Sequence, residues 1–208
     1  MERAFHFVPG QYYHVFNRGV EKRAIFQDRT DWERFRNLLY LCNSQKALIY
    51  KLIQGDPLEW ERGETITSMV AYALMPNHFH IIAREDEDGG LSKFLSKVTT
   101  SYSMYFNTKY ERSGPLMNRP FRARHITNDE YFRWVISYVH LNPLSPGISD
   151  REYALRTYDF SSYVDYYVGE RQATKIINRS ALPIGINDLE QVDEMLGTQG
   201  IFQGDPLE

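Results

Sequence analysis

From Ser68 to Arg84 the chain is largely apolar, with one break at Pro76-Asn77. The flanking stretches, SMVAYAL (68–74) and HFHIIAR (78–84), are short and bounded by turn residues, so they read as two strands of a β-hairpin. Everything else has to be built around this antiparallel pair. Upstream, QYYHVF (11–16) is aromatic and β-branched and predicts a strand that turns at Arg18-Gly19. DRTDWERFRNLLYLCNSQ (28–45) spaces Trp32, Phe35, Leu38, Leu39 and Cys42 at helical intervals. Residues 54–64 are polar, contain Gly55 and Pro57, and read as a loop. Gly89-Gly90 breaks the chain before a long helix over LSKFLSKVTTSYSMYFNTKY (91–110). Ser113-Gly114-Pro115 leads to a short strand, FRARHI, and TNDEYFRWVISYVHLN predicts a last helix. Thr127 and Glu130 have capping-box spacing there, and Pro143 marks its end.

The order β-α-β-β-α-β-α predicts an α+β fold. Its form is a ferredoxin-like or RRM-like, mostly antiparallel sheet with helices packed on one face. Residues 1–180 are expected to form one domain, with an acidic C-terminal extension over 181–208. The hexapeptide QGDPLE occurs at 54–59 and again at 203–208, and nothing physical explains the repeat.

The 208 residues include one cysteine, Cys42, which excludes an internal disulfide framework and a cysteine-based zinc site. No apolar run reaches the length of a membrane span and the N-terminus lacks a signal-peptide pattern, so a cytoplasmic protein is expected. The net charge of −3 argues at first against a nucleic-acid partner, but it is unevenly spread. Beyond Ser180 there are no basic residues and six acids: Asp188, Glu190, Asp193, Glu194, Asp205 and Glu208. Residues 1–180 therefore carry 24 basic and 21 acidic side chains. Lys109, Arg112, Arg119, Arg122 and Arg124 crowd one segment against the single acid Glu111, a patch of the kind phosphates need. Most clusters of this kind are simply solvated faces.

Alternation along a strand sends His78 and His80 to one face and Phe79 to the other. The two histidine Cα atoms then lie about 6.5–7 Å apart, close enough for both rings to reach one ion. Taken alone, such a pair is more often two polar residues on an exposed face. The last helix adds Tyr138 and Asn142, four residues apart and so on one side of it. Asn142 offers an amide oxygen and Tyr138 a phenol. Tyr131, seven residues earlier on nearly the same side, competes for that role, and a helix tyrosine is usually core packing.

The segments YHVFNRG (13–19), YALMPNHFHII (72–82), SGPLMNRPFRA (113–123), YVHLNPLSPGI (138–148) and DFSSY (159–163) together resemble the His-hydrophobe-His (HUH) single-tyrosine transposases. Within that class the pattern is similar to the REP-associated tyrosine transposases and spans residues 11 to about 165. The resemblance implies metal binding by His78 and His80, with Asn142 as the polar residue one turn after the nucleophile, Tyr138. Met117 and Asn118 depart from the family's loop, where an aromatic residue and Gln are common. The implied activity is cleavage and rejoining of single-stranded DNA, hairpin-forming DNA included, with Mg²⁺ or Mn²⁺ as cofactor. A tyrosine has an ordinary pKa of about 10, so the phenol needs help to attack. Arg18, Arg119, Arg122 and Arg124 are the expected DNA contacts, and Tyr102, Tyr105 and Phe121 are candidates to stack on bases. Two further readings stay open: a catalytically silent DNA- or RNA-binding module on the same fold, and a nuclease that uses water. The sequence leaves monomer and homodimer undecided.

Overall fold

The computed structural model describes residues 6–144 and 148–186. Four strands, β1 (Tyr12–Arg18), β2 (Thr67–Met75), β3 (His78–Glu85) and β4 (Arg122–Ile126), form one sheet in the order β2-β3-β1-β4. Every neighbouring pair is antiparallel, as the βαββαβ order requires. The helices are α1 (Arg29–Leu41), α2 (Gly90–Lys109), α3 (Asp129–Leu141) and the short α4 (Arg151–Arg156) and α5 (Tyr163–Tyr167).

Side-chain alternation divides the interior in two. On one face Tyr13, Val15, Tyr72, Leu74, Phe79 and Ile81 pack against α1 (Phe35, Leu38, Leu39) and α2 (Phe94, Leu95, Val98, Phe106). On the other, Phe16, Val70, Ala73, Met75 and Ile82 meet Phe132, Val135, Ile136 and Val139 of α3. The expectation that all helices share one face holds for α1 and α2 and fails for α3. The reason lies in β2, whose nine residues are all buried, so the sheet needs an apolar cover on both sides. A bulge between Met69 and Ala71 locally breaks the alternation.

Local chemistry sets the helix ends. Asp28 caps α1, and its partner Asp31 closes the capping box. After Leu41 the Asn43 side chain accepts from the Ile66 and Thr67 amides and donates to the Thr67 carbonyl, which stops the helix short of its predicted end. At α3 the cap is Asn128, one residue later than the Thr127 capping box predicts, because the Asn128 Oδ1 accepts from the Tyr131 amide at 2.8 Å. The outer edge of β2 is covered by the 158–162 segment, through Leu74 N to Phe160 O and Ser162 N to Tyr72 O, both 2.9 Å. Ser162 also meets His140 at 2.8 Å, so the DFSSY segment ties α3 to the sheet.

Beyond residue 180, Ala181, Leu182 and Ile186 pack into the α3-side cluster. The packed body therefore reaches Ile186, and the six acids of the expected tail lie outside the described residues. No helix among the described residues is long and apolar enough to cross a membrane.

Candidate active site

The sheet register gathers the polar residues. Opposite His78 on β3 stands Arg18 of β1, and opposite His80 stands Phe16. Arg124 and Arg122 of β4 in turn face His14 and Phe16. Cross-strand partners share a face, so Arg18, His14, His78, His80, Arg122 and Arg124 all lie on the α3 side. Gly19 holds the end of β1: a Cβ there would collide with the Arg23 carbonyl oxygen. Its amide donates to Asn77 O at 2.8 Å, which fastens the β2–β3 turn next to Arg18.

His78 is half-buried at the start of β3. Its Nδ1 lies 2.6 Å from the Asn77 Oδ1 and its Nε2 3.2 Å from the Asn142 Oδ1. His80 is fully buried, its ring centroid 5.2 Å from that of His78 and the two planes at 86°. Its Nδ1 meets the His14 Nε2 at 2.8 Å in nearly coplanar rings, while its Nε2 has no hydrogen-bond partner. Burial, reinforced by the neighbouring His14, His78 and Arg18, pushes the His80 pKa well below the usual histidine range. The ring is neutral at neutral pH, the form in which imidazole ligates a metal.

These residues fit a divalent ion. An octahedral Mg²⁺ or Mn²⁺ with bonds of about 2.1 Å holds adjacent ligands about 3 Å apart, and His78 Nε2 and Asn142 Oδ1 are 3.2 Å apart. The partnerless His80 Nε2 is a third candidate donor, on a ring whose centroid is 5.2 Å from that of His78. Asn142 is the C-cap of α3, where the helix dipole favours positive charge. Among the described residues no group of three or more His, Cys, Asp or Glu side chains could hold a metal.

Tyr138 stands perpendicular to His80 at 5.4 Å and close to perpendicular to His14 at 6.0 Å. Trp134 lies parallel to Tyr138 at 5.5 Å. Tyr131 stacks on Trp134 at 6.0 Å, so that Trp134 and Tyr138 stand between it and the histidines. Periodicity leaves the two tyrosines equivalent, whereas the structure brings Tyr138 to the histidines.

The basic segment divides. Arg122 and Arg124 are exposed on the histidine face. Arg119 lines a cavity of about 710 Å³ on the opposite side, between α2 and the 114–121 loop, with Asn17, Thr100, Ser103 and Phe121. Lys109 is taken up by Asp28 and Asp31 at 2.7 and 2.8 Å. Of the expected stacking aromatics, Tyr102 is fully buried and donates to the Ile25 carbonyl, so it belongs to the core. Tyr105 is half-buried beneath Arg34, with its hydroxyl on Asp31. Sequence reasoning missed His14 and Asn77. Only the β1–β3 register reveals His14, whereas Asn77 sits directly before His78 and could have been suspected.

No family model matches the chain, and no curated protein does. Among solved structures it is similar to a REP-associated tyrosine transposase bound to a REP hairpin. The TM-score is 0.54 and the identity 14%, over 79% of this chain and 83% of that one. At this identity the likeness establishes the fold.

Proposed function

We propose that this protein cleaves and rejoins single-stranded DNA, hairpin-forming DNA included, through a 5′-phosphotyrosine on Tyr138. The observation that carries the reading is the meeting of two separate chain segments, β3 and the end of α3. Tyr138 stands perpendicular to His80, and Asn142 Oδ1 at the end of the same helix faces His78 Nε2. His78, His80 and Asn142 would hold Mg²⁺ or Mn²⁺, which when bound supplies Lewis-acid polarisation of the scissile phosphate. Arg18, Arg122 and Arg124 hold flanking phosphates, and Arg119 takes a more distant stretch of the strand. DNA approaches on the half-buried side, at His78 and Asn142.

The Tyr138 Oη attacks phosphorus, and the bond from phosphorus to the 3′-oxygen breaks. The phenol loses its proton to a base or to water, and the departing oxygen takes one up to become a 3′-hydroxyl. The phosphate stays on Tyr138 as a diester, so an incoming 3′-hydroxyl can attack it and expel the tyrosine oxygen without any outside energy source.

The test is a denaturing gel of protein mixed with 3′-end-labelled single-stranded DNA and Mn²⁺. Wild type and Tyr131→Phe are expected to give a labelled protein band, and Tyr138→Phe none. A band with Tyr138→Phe that is missing with Tyr131→Phe would reassign the nucleophile. A second reading, a binding module without cleavage, draws on the closure of the site: Tyr138 is 2% exposed and His80 not at all. It expects binding with neither cut DNA nor adduct, whereas cut DNA without adduct would make the protein a nuclease that uses water.

A further inference from the structure

We propose that Ser162 and His140 are positioning residues: the hydrogen bond between them sets where Tyr138 and Asn142 stand against the histidines of β3. The inference rests on the reading of Tyr138 as the nucleophile, and the place of its ring can be measured independently of that reading.

Apolar contacts hold α3 on the sheet, through Phe132, Val135, Ile136 and Val139. Such contacts have no preferred direction, whereas a hydrogen bond weakens steeply once its geometry is lost. His140 lies two residues after Tyr138 and two before Asn142, so it points about 200° round the helix axis from each. The side of α3 turned away from the site therefore carries a directional contact. His140 Nε2 meets Ser162 Oγ at 2.8 Å, and both residues are fully buried. The bond forms whichever of the two groups gives the proton, because a hydroxyl both donates and accepts.

Ser162 is in turn fixed to β2. Its amide donates to the Tyr72 carbonyl and its Oγ accepts from the Tyr72 amide, both at 2.9 Å. The Tyr158 hydroxyl donates to Leu74 O at 2.6 Å and Leu74 N to Phe160 O at 2.9 Å, which continues the seam. Arg171 braces it from behind: it donates to the Asp159 and Ser161 carbonyls at 2.6 and 2.8 Å and to the buried Asp165 carboxylate at 2.8 and 3.0 Å. In the β2–β3 register Ala73, next to Tyr72, pairs with His80, and Met75 pairs with His78. A closed circuit results. It runs from the histidines across to β2, through Ser162 to His140, and along part of one turn of α3 to Tyr138 and Asn142, which face the histidines again. The other links are strand pairing, a backbone seam and helix, whereas His140–Ser162 joins two side chains and can be opened without dismantling an element. The DFSSY segment (159–163), which the cleavage step leaves unused, thereby acquires a role at the site.

The full chain is mixed with 3′-end-labelled single-stranded DNA and Mn²⁺, and the rate of adduct formation is measured at saturating DNA. His140→Phe opens the bond and leaves a ring among those of Tyr163, Tyr166 and Tyr167. Its adduct rate should fall about 100-fold, the loss expected from a misplacement of about 1 Å. Its DNA affinity in fluorescence anisotropy should stay unchanged, because Arg18, Arg119, Arg122 and Arg124 all lie off α3. His140→Gln, whose amide can bond the Ser162 hydroxyl again, should recover part of the rate, which a loss of ring packing alone would not allow. Ser162→Ala opens the bond from the other end and should show the same fall, so the test does not depend on one variant folding. NMR of ¹³C-labelled tyrosine in the metal-free protein locates the Tyr138 ring, whose signals are shifted by the neighbouring His80 and Trp134 rings. They should move in His140→Phe, while those of Tyr13 on the other face of the sheet stay in place. A folded His140→Phe protein with the wild-type adduct rate overturns the proposal. So does an unmoved Tyr138 signal, or a His140→Gln protein no faster than His140→Phe. A wild type that forms no adduct overturns the reading of Tyr138 as nucleophile, and the ring signals then decide this proposal alone.

Discussion

Replacing Arg122 and Arg124 together by alanine measures whether DNA lies across the histidine face. Both side chains are exposed on the edge strand β4, in register with Phe16 and His14. Exposed substitutions of this kind change stability by about 0.5 kcal/mol or less, so the variant should fold. Each phosphate contact to a single strand contributes about 0.7 to the slope of log affinity against log salt, so losing two should lower the slope by about 1.4. Between about 50 and 200 mM salt, wild-type affinity should then fall about sevenfold more than that of the variant. Fluorescence anisotropy of a labelled oligonucleotide, titrated at several salt concentrations, reads both numbers. An unchanged slope would refute the placement of DNA on this face. Arg119→Ala is the informative companion: a further drop of about 0.7 would carry the strand round to the cavity on the other side of the sheet.

His78→Ala should abolish Mn²⁺ binding in calorimetry while leaving the melting temperature nearly unchanged, since the residue is half-buried at a strand end; normal binding would remove it from the ligand set. Asp31 is fully buried and accepts from the Gln27 amide, Tyr105, Tyr110 and Lys109, so Asp31→Ala should cost about 3–5 kcal/mol, or about 6–20 °C in a thermal melt. Burial pushes the Asp31 carboxyl up, but Lys109 and the other donors together hold it below the usual range. Its stabilisation is present above the ordinary carboxylate pKa and is lost as pH falls through the folded value, so wild-type melting temperature should drop below about pH 4 more steeply than that of Asp31→Asn. Removing residues 187–208, which takes away all six acids but spares Ala181 and Ile186, should raise low-salt affinity for single strands; identical salt titrations would exclude a repulsive tail.

The hairpin at Pro76-Asn77 and the three long helices were legible because their periodicities are uninterrupted. Their observed limits differ from the predicted ones by up to about four residues, most at the end of α1, where the Asn43 side chain intervenes from outside the periodic run. The side of the sheet that α3 takes was not legible: β2 is apolar at nearly every position, so no alternation tells which face needs a second cover. Phe94, Val98, Tyr102 and Phe106 recur every four residues and all lie in the core, a stripe that the expectation of Tyr102 as a stacking platform overlooked. In the site, spacing suggested His78 with His80 and Tyr138 with Asn142, each pair within one element. What joins the two pairs, and brings in His14, is strand register and helix docking, which depend on contacts between residues more than sixty positions apart.

Tyr138 and Asn142 stand one turn apart at the end of α3, while the histidines belong to the sheet. The two side chains therefore travel as one body: whatever lifts α3 from β3 withdraws both at once. On the proposed reading such a displacement cannot leave a bound ion beside water with the tyrosine gone but the coordination intact, which is the state that would cut DNA without keeping hold of it. The same linkage makes the YVHLN segment intolerant of length change. One residue inserted between Tyr138 and Asn142 would swing the amide about 100° round the helix axis, whereas the loop between α2 and β4 could lengthen without separating Tyr138, Asn142 and the two histidines.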